Sequence, residues 1–237
     1  MGPIARTDDV EVLRADARLN RERILVAARD AFVEQGPGVP LEEISQRAGT
    51  GIATLYRRFP DRRALMRAVV VDALERTTKE AHRAVDEEPD PFAALARYMH
   101  RMLDSRIAAV IPVLVGELAL DDDEMLRARD KSTRLLQYLT DAAHHAGALR
   151  PDVTFGDISM LIIRLSRPLP GTFPRELNDQ LAHRHLELVI SALRPAADGA
   201  TVALSGPAMT LEDLRNLQAP PRAADTDTGE MSTRRST

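Results

Sequence analysis

The tetrapeptide Ala48-Gly49-Thr50-Gly51 sits between two short helical patterns, and this arrangement most restricts how the chain folds. Before it, Leu41 to Arg47 places Ile44 and Ala48 four residues apart; after it, Ile52 to Phe59 does the same with Leu55 and Phe59. Residues four apart share one face of a helix. Gly49 suits the tight turn because glycine enters positive φ without a Cβ clash. Two short helices across such a turn form a helix-turn-helix, whose second helix enters the DNA major groove. With Leu55 and Phe59 turned inward, Thr54, Arg57 and Arg58 face out and Tyr56 lies at the edge.

Charge supports this reading. The chain of 237 residues carries a formal net charge of −4, yet residues 47–67 hold six arginines and one acid, Asp61, for a net of +5. A basic element on an acidic chain is the electrostatic footprint of a DNA reader. An arginine-rich face is often just solvated. Here the turn glycine, the helix lengths and the hydroxyls coincide with the charge.

The exposed positions near the start of the second helix, Ile52, Ala53 and Thr54, are candidates for base-edge contacts. An apolar Ile52 or the Thr54 methyl suits a thymine methyl, and the Thr54 hydroxyl suits a base or a phosphate. Tyr56, Arg57, Arg58 and Arg62 are better placed for phosphates, which position a protein without reading sequence. Tyr56 has two readings, a core ring and a phosphate contact, and one side chain can serve as both. Gly51 can offer backbone N–H groups to a phosphate.

These residues carry a resemblance. Ala48-Gly49, then Thr54-Leu55-Tyr56-Arg57-x-Phe59, then Arg62 and Leu65, resembles the DNA-binding domain of TetR-family transcriptional regulators over about residues 18–67. The family's serine cap is here Gly51 and its glycine is Ala53, so the cap hydroxyl and its phosphate contact are missing from the pattern. The resemblance implies roles for Thr54, Tyr56 and Arg62 in DNA contact. It further implies a cytoplasmic homodimer that represses an operator and is released by a small molecule. A constitutive DNA-binding regulator without an inducer is the alternative.

The remaining sequence reads as helices only. Ile24, Ala27, Ala28, Ala31 and Phe32 form one amphipathic stripe, closed by Gly36. Asp61 caps a helix from about Arg62 to Glu87. Asp90-Pro91 opens another, about 91–107. Pro112 opens or kinks a sixth that runs to about Leu120. The acids from Asp121 to Glu124 begin a seventh that ends at Gly147. Thr154 and Asp157 form a capping-box pattern for an eighth, about 155–167, and a ninth follows over about 175–194. The fold class is therefore all-α with about nine helices. The expected organisation is a mobile arm over 1–17, a DNA-binding domain over 18–65, a helical ligand-binding and dimerisation domain over 66–194, and a tail over 195–237 with a short docked helix at 210–217.

The eighth helix is apolar almost all round, so it needs cover on several sides. Ile158, Leu161, Ile162 and Leu165, with Leu181 and Leu188 of the ninth, are the expected dimer interface. Met66, Met99, Met102, Leu103, Leu114, Leu118, Met125 and Tyr138 are the candidates to line a cavity, although most such residues are ordinary core.

Other chemistries find little support. The chain has no cysteine, which removes disulfides and thiolate metal sites. No two histidines have the three- or four-residue spacing that aims two ligands at one metal ion. Gly49-Thr50-Gly51 lacks the preceding strand of a dinucleotide loop, and no catalytic motif is present, so neither enzyme activity nor a cofactor is expected. No apolar run is long enough to span a membrane.

Overall fold

The computed structural model describes residues 7–118, 123–169, 171, 173–196, 204–210 and 213, with side chains from residue 15 onward. Its elements are α1 (Thr7–Gln35), α2 (Leu41–Arg47), α3 (Ile52–Arg58), α4 (Arg62–Glu87), α5 (Pro91–Ser105), α6 (Ile107–Val115), α7 (Asp123–His145), α8 (Phe155–Leu165) and α9 (Arg175–Leu193). Among the described residues there is no strand.

The N-terminal segment departs from expectation. Residues 7–17, read as part of a polar arm, continue α1. Nucleating a helix is costly, but extending one already packed adds a hydrogen bond for each residue fixed. Ile24, Ala28, Ala31 and Phe32 are fully buried and supply that packed body. An apolar stripe is therefore not required further out.

Two apolar clusters form the core. The first joins α1 to α3 with the first half of α4, and also takes in Ile107, Val110 and Leu114 of α6. The second joins the second half of α4 to α5, α7, α8 and α9. Helix α4 runs unbroken through the boundary expected at 65/66. The first cluster crosses that boundary as well, so the segment expected to bind DNA shares its core with α6.

Helices α5 and α6 are split by Arg106, whose φ of 49° places it in the left-handed region. Its buried guanidinium is paired with Asp179 of α9. The seam between α5 and α9 is polar further along. His183 Nε2 lies 2.9 Å from Asp104, His183 Nδ1 lies 3.2 Å from His100 Nδ1, and His100 Nε2 lies 3.2 Å from Glu187. The two rings are nearly parallel, and their Nδ1 atoms approach each other. Sequence spacing could not pair these histidines, which lie 83 residues apart.

Helix α8 begins with the expected capping box. The Asp157 amide donates to Thr154 Oγ1 at 3.3 Å, and the Thr154 amide donates to Asp157 Oδ2 at 2.7 Å. The Thr154 hydroxyl also lies 3.0 Å from the carbonyl oxygen of Met209. An added Cβ on Gly156 would sit 2.0 Å from that same oxygen, so only glycine admits this approach. Part of the expected tail is thus docked on α8 through Met209. Thr210 and Asp213 form a second capping pair: the Asp213 amide donates to Thr210 Oγ1 at 3.2 Å, and the Thr210 amide donates to Asp213 Oδ2 at 2.8 Å. Apart from Thr210 and Asp213, the short docked helix expected at 210–217 lies outside the described residues.

Two residues assigned to the dimer interface belong elsewhere. Ile158 and Ile162 are buried in the chain's own second cluster. They lie four apart on the inward face, whereas Leu161 and Leu165 lie between the inner and outer faces and are half-buried.

Candidate nucleic-acid interface and cavity

The turn between α2 and α3 is closed by its own backbone. The Gly49 amide donates to Gln46 O and the Thr50 amide to Ser45 O, each at 3.0 Å. With Gly49 at φ 64°, this is the glycine-terminated helix end in which both bonds satisfy carbonyls of the last turn. Gly51 then precedes α3 in extended conformation, with no side-chain cap. Leu55 is fully buried and Phe59 nearly so, which fixes the roll of α3. Gly51, Ala53, Arg57 and Arg58 are exposed, Ile52 and Thr54 are half-buried, and Tyr56 is 46% exposed. Tyr56 is therefore an edge residue and not a core ring.

The arginines divide into two groups. Arg47 bridges α1 and α2, pairing with Glu34 and Glu43 at 2.7 Å each. Glu43 also accepts from the Gln35 amide nitrogen at 2.6 Å. This bond, together with Arg47, holds the Glu43 carboxyl below its usual range. Arg67 pairs with Glu124 at 2.6 Å. Arg62, expected at a phosphate, donates through Nη1 to Pro37 O at 2.9 Å and Val39 O at 2.6 Å. It fastens the α1–α2 loop, whose carbonyls have few other donors. Arg57, Arg58 and Arg63 are exposed and form no ion pair with any described residue. The family motif singles out Arg62 and passes over its neighbour Arg63; the two carbonyl acceptors reverse that order of exposure.

A cavity of about 120 Å³ opens among α4 to α8. Val70, Leu74 and Thr77 of α4 form one side, with Tyr98 and Met102 of α5 beside them. Ile111, Pro112 and Val115 of α6 form another side. Helix α7 contributes Met125, Arg129, Ser132, Thr133 and Leu136, and α8 contributes Phe155, Ser159 and Met160. Of the residues expected there, Met102 and Met125 line the cavity. Met66, Met99, Leu103, Leu114 and Leu118 are buried core instead. Tyr138 is 55% exposed on the outer face of α7. The polar wall residues Tyr98, Ser132 and Thr133 were not singled out, because a helical pattern shows which face is buried but not where the buried face stays unfilled.

Comparison with known proteins extends this picture. The family model of TetR-family bacterial regulatory proteins matches residues 24–69, and that of the C-terminal domain of SbtR-like transcriptional regulators matches residues 90–195. A solved TetR regulator from Mycobacterium vanbaalenii is 33% identical, with 77% of this chain and 99% of that chain covered and a TM-score of 0.53. A second, from Streptomyces coelicolor, is 31% identical over 75% of this chain and 99% of that one, also with a TM-score of 0.53. This chain belongs to the TetR family.

It is accordingly a DNA-binding transcriptional regulator, with α2 and α3 as the helix-turn-helix of the TetR fold. The nucleoid occlusion factor SlmA of Alteromonas mediterranea is 22% identical over 116 residues, which are 47% of this chain and 60% of that one. The chain thus spans about three-fifths of the length of this curated relative. The C-terminal TetR match stops at residue 195, so the Met209 contact with α8 lies beyond it. Among the described residues no helix is long and apolar enough to cross a membrane.

Proposed function

We propose that this TetR-family protein is a dimeric repressor released from its operator by a small molecule bound in the cavity. One observation carries the proposal. Helices α4 and α6 each present one face to the cavity and another to the core of the DNA-binding segment. Val70 of α4 belongs to both, while Leu65 and Met66 of the same helix pack with Leu55 and Phe59. On α6, Ile111 and Val115 face the cavity, and Ile107, Val110 and Leu114 pack in the first cluster. A guest that moves these helices moves α3 with them. The guest shifts the equilibrium only as far as its affinity differs between the two states.

On DNA, Arg57, Arg58 and Arg63 take phosphates, as does the exposed Tyr56 hydroxyl, while Ile52, Ala53 and Thr54 meet base edges at the start of α3. Gly51 supplies backbone N–H groups without a cap hydroxyl. A second copy covers the outer faces of α8 and α9. Leu177 and Leu188 are 42% and 63% exposed there, and Leu161, Leu165 and Leu181 are half-buried. Two recognition helices can then span two half-sites. Binding to genomic DNA places the protein in the cytoplasm.

The test is a footprint on the DNA upstream of its own gene, followed by fluorescence anisotropy on that fragment. Filling the cavity with Leu136→Trp should weaken operator binding while leaving the protein folded. Operator affinity unchanged by both cavity filling and a bound guest would favour the constitutive alternative.

A further inference from the structure

The cavity wall is apolar but carries a small set of polar groups, and their hydrogen-bonding states differ. The Thr77 hydroxyl donates to Ala73 O and the Ser159 hydroxyl to Phe155 O, so both are engaged within their own helices. Tyr98 makes no hydrogen bond with any described residue, although it is only 2% exposed. Burial pushes its phenol pKa up, so the group keeps its proton and remains a donor. Ser132, 7% exposed and on the same cavity, is likewise without a partner among the described residues. Neither oxygen is among the inaccessible unpartnered atoms of the described residues, so both open onto the cavity, where a guest can hydrogen-bond them.

Charge and size restrict the guest further. Among the described wall residues the ionisable ones are Tyr98 and Arg129, and none is a carboxylate. A cation would therefore enter without a counter-charge. Arg129 is already engaged in a contact of its own, so an anion would have to compete for it. A dry cavity of about 150 Å³ admits a benzene-sized molecule, which sets the scale for about 120 Å³ here. Met102, Met125 and Met160 place polarizable thioethers on the wall, well suited to the edge of an aromatic ring.

We infer that the cavity selects an uncharged molecule of about one ring that bears a single hydroxyl or carbonyl, recognised by Tyr98. The inference rests on the effector reading above and adds the chemical class of the guest.

The test is calorimetric titration of the full chain with phenol, benzene, benzoate and benzylammonium. Phenol should bind roughly fivefold to tenfold more tightly than benzene, the scale of one net hydrogen bond. Both ions should bind at least about tenfold more weakly than phenol. Tyr98→Phe should bring phenol and benzene to equal affinity, with an intact thermal melt showing that the variant is folded. Equal affinity for phenol and benzene, or a preference that survives Tyr98→Phe, overturns the assignment of Tyr98. Tighter binding of either ion overturns the charge class. In those cases the binding of benzene keeps the cavity as a ligand site. If none of the four compounds binds, the effector reading falls with this one.

Discussion

The α2–α3 pair and the α8–α9 pair are each two helices joined by a connection, yet they close by different means. Between α2 and α3 every decisive interaction spans a few residues: Gly49 to Gln46, Thr50 to Ser45, Leu55 turned inward one helical turn before Phe59. Around α8 and α9 the deciding contacts come from far along the chain. Asp179 reaches Arg106, His183 reaches His100 and Asp104, and Met209 reaches Thr154. The first pair reads like its sequence. The second is set by what the rest of the fold brings against it.

The largest expected effect tests which side of α8 is inside. Ile158→Glu places an unpaired charge in the chain's own core, at a cost of several kcal/mol, and should unfold the protein. Leu188→Glu, at a position 63% exposed, should give a folded monomer that no longer holds the operator. Thermal melts and sedimentation distinguish the two. A folded, monomeric Ile158→Glu would return that residue to the interface.

The turn gives the next largest effect. Gly49→Ala forces a Cβ into the left-handed region and should cost about 1–2 kcal/mol in urea unfolding. Gly51→Ala should be close to neutral for stability, because its φ of −74° suits any residue and open space surrounds it. Equal losses at both positions would show that the turn is not what holds the pair.

Replacing the arginines separates DNA contact from scaffolding. Arg57→Ala should lower the log–log salt slope of DNA binding by about one unit. Arg62→Ala should leave the slope alone and lower stability, because its Nη1 is spent on Pro37 O and Val39 O. A slope that falls for Arg62→Ala would restore it to the phosphate contacts.

Gly156→Ala should detach the Met209 segment, since its Cβ would overlap the Met209 carbonyl. Amide exchange at 204–210 should rise, with no change in α2 or α3. Unchanged exchange would mean that the tail does not depend on this contact.

The smallest effect is an acid one. The Gln35 hydrogen bond and Arg47 lower the folded-state pKa of Glu43. Its contribution is therefore present above the ordinary glutamate value of about 4.3 and is lost as the pH falls through the lower folded value. Because Glu43 is near the surface, Glu43→Gln should flatten the acid limb of the stability curve only slightly. A limb steepened by the change would contradict this sign.

The sequence by itself determined the helical class, the two helices of the DNA-binding motif, and the caps at Asp61, Asp90 and Thr154. Each depends on residues within about one turn of one another, and so on spacing alone. It also placed Leu55 and Phe59 inside. Only the tertiary structure decided which arginines are free, because the carbonyls that engage Arg62 lie 23 and 25 residues away. It likewise decided that Ile158 and Ile162 face inward while Leu188 faces out, and that Met102 borders a space while Met99 fills one. It showed too that α1 takes in residues 7–17, which the sequence reads as part of an arm. Periodicity specifies a buried face, but what covers that face, and how completely, depends on segments whose distance along the chain leaves no local trace.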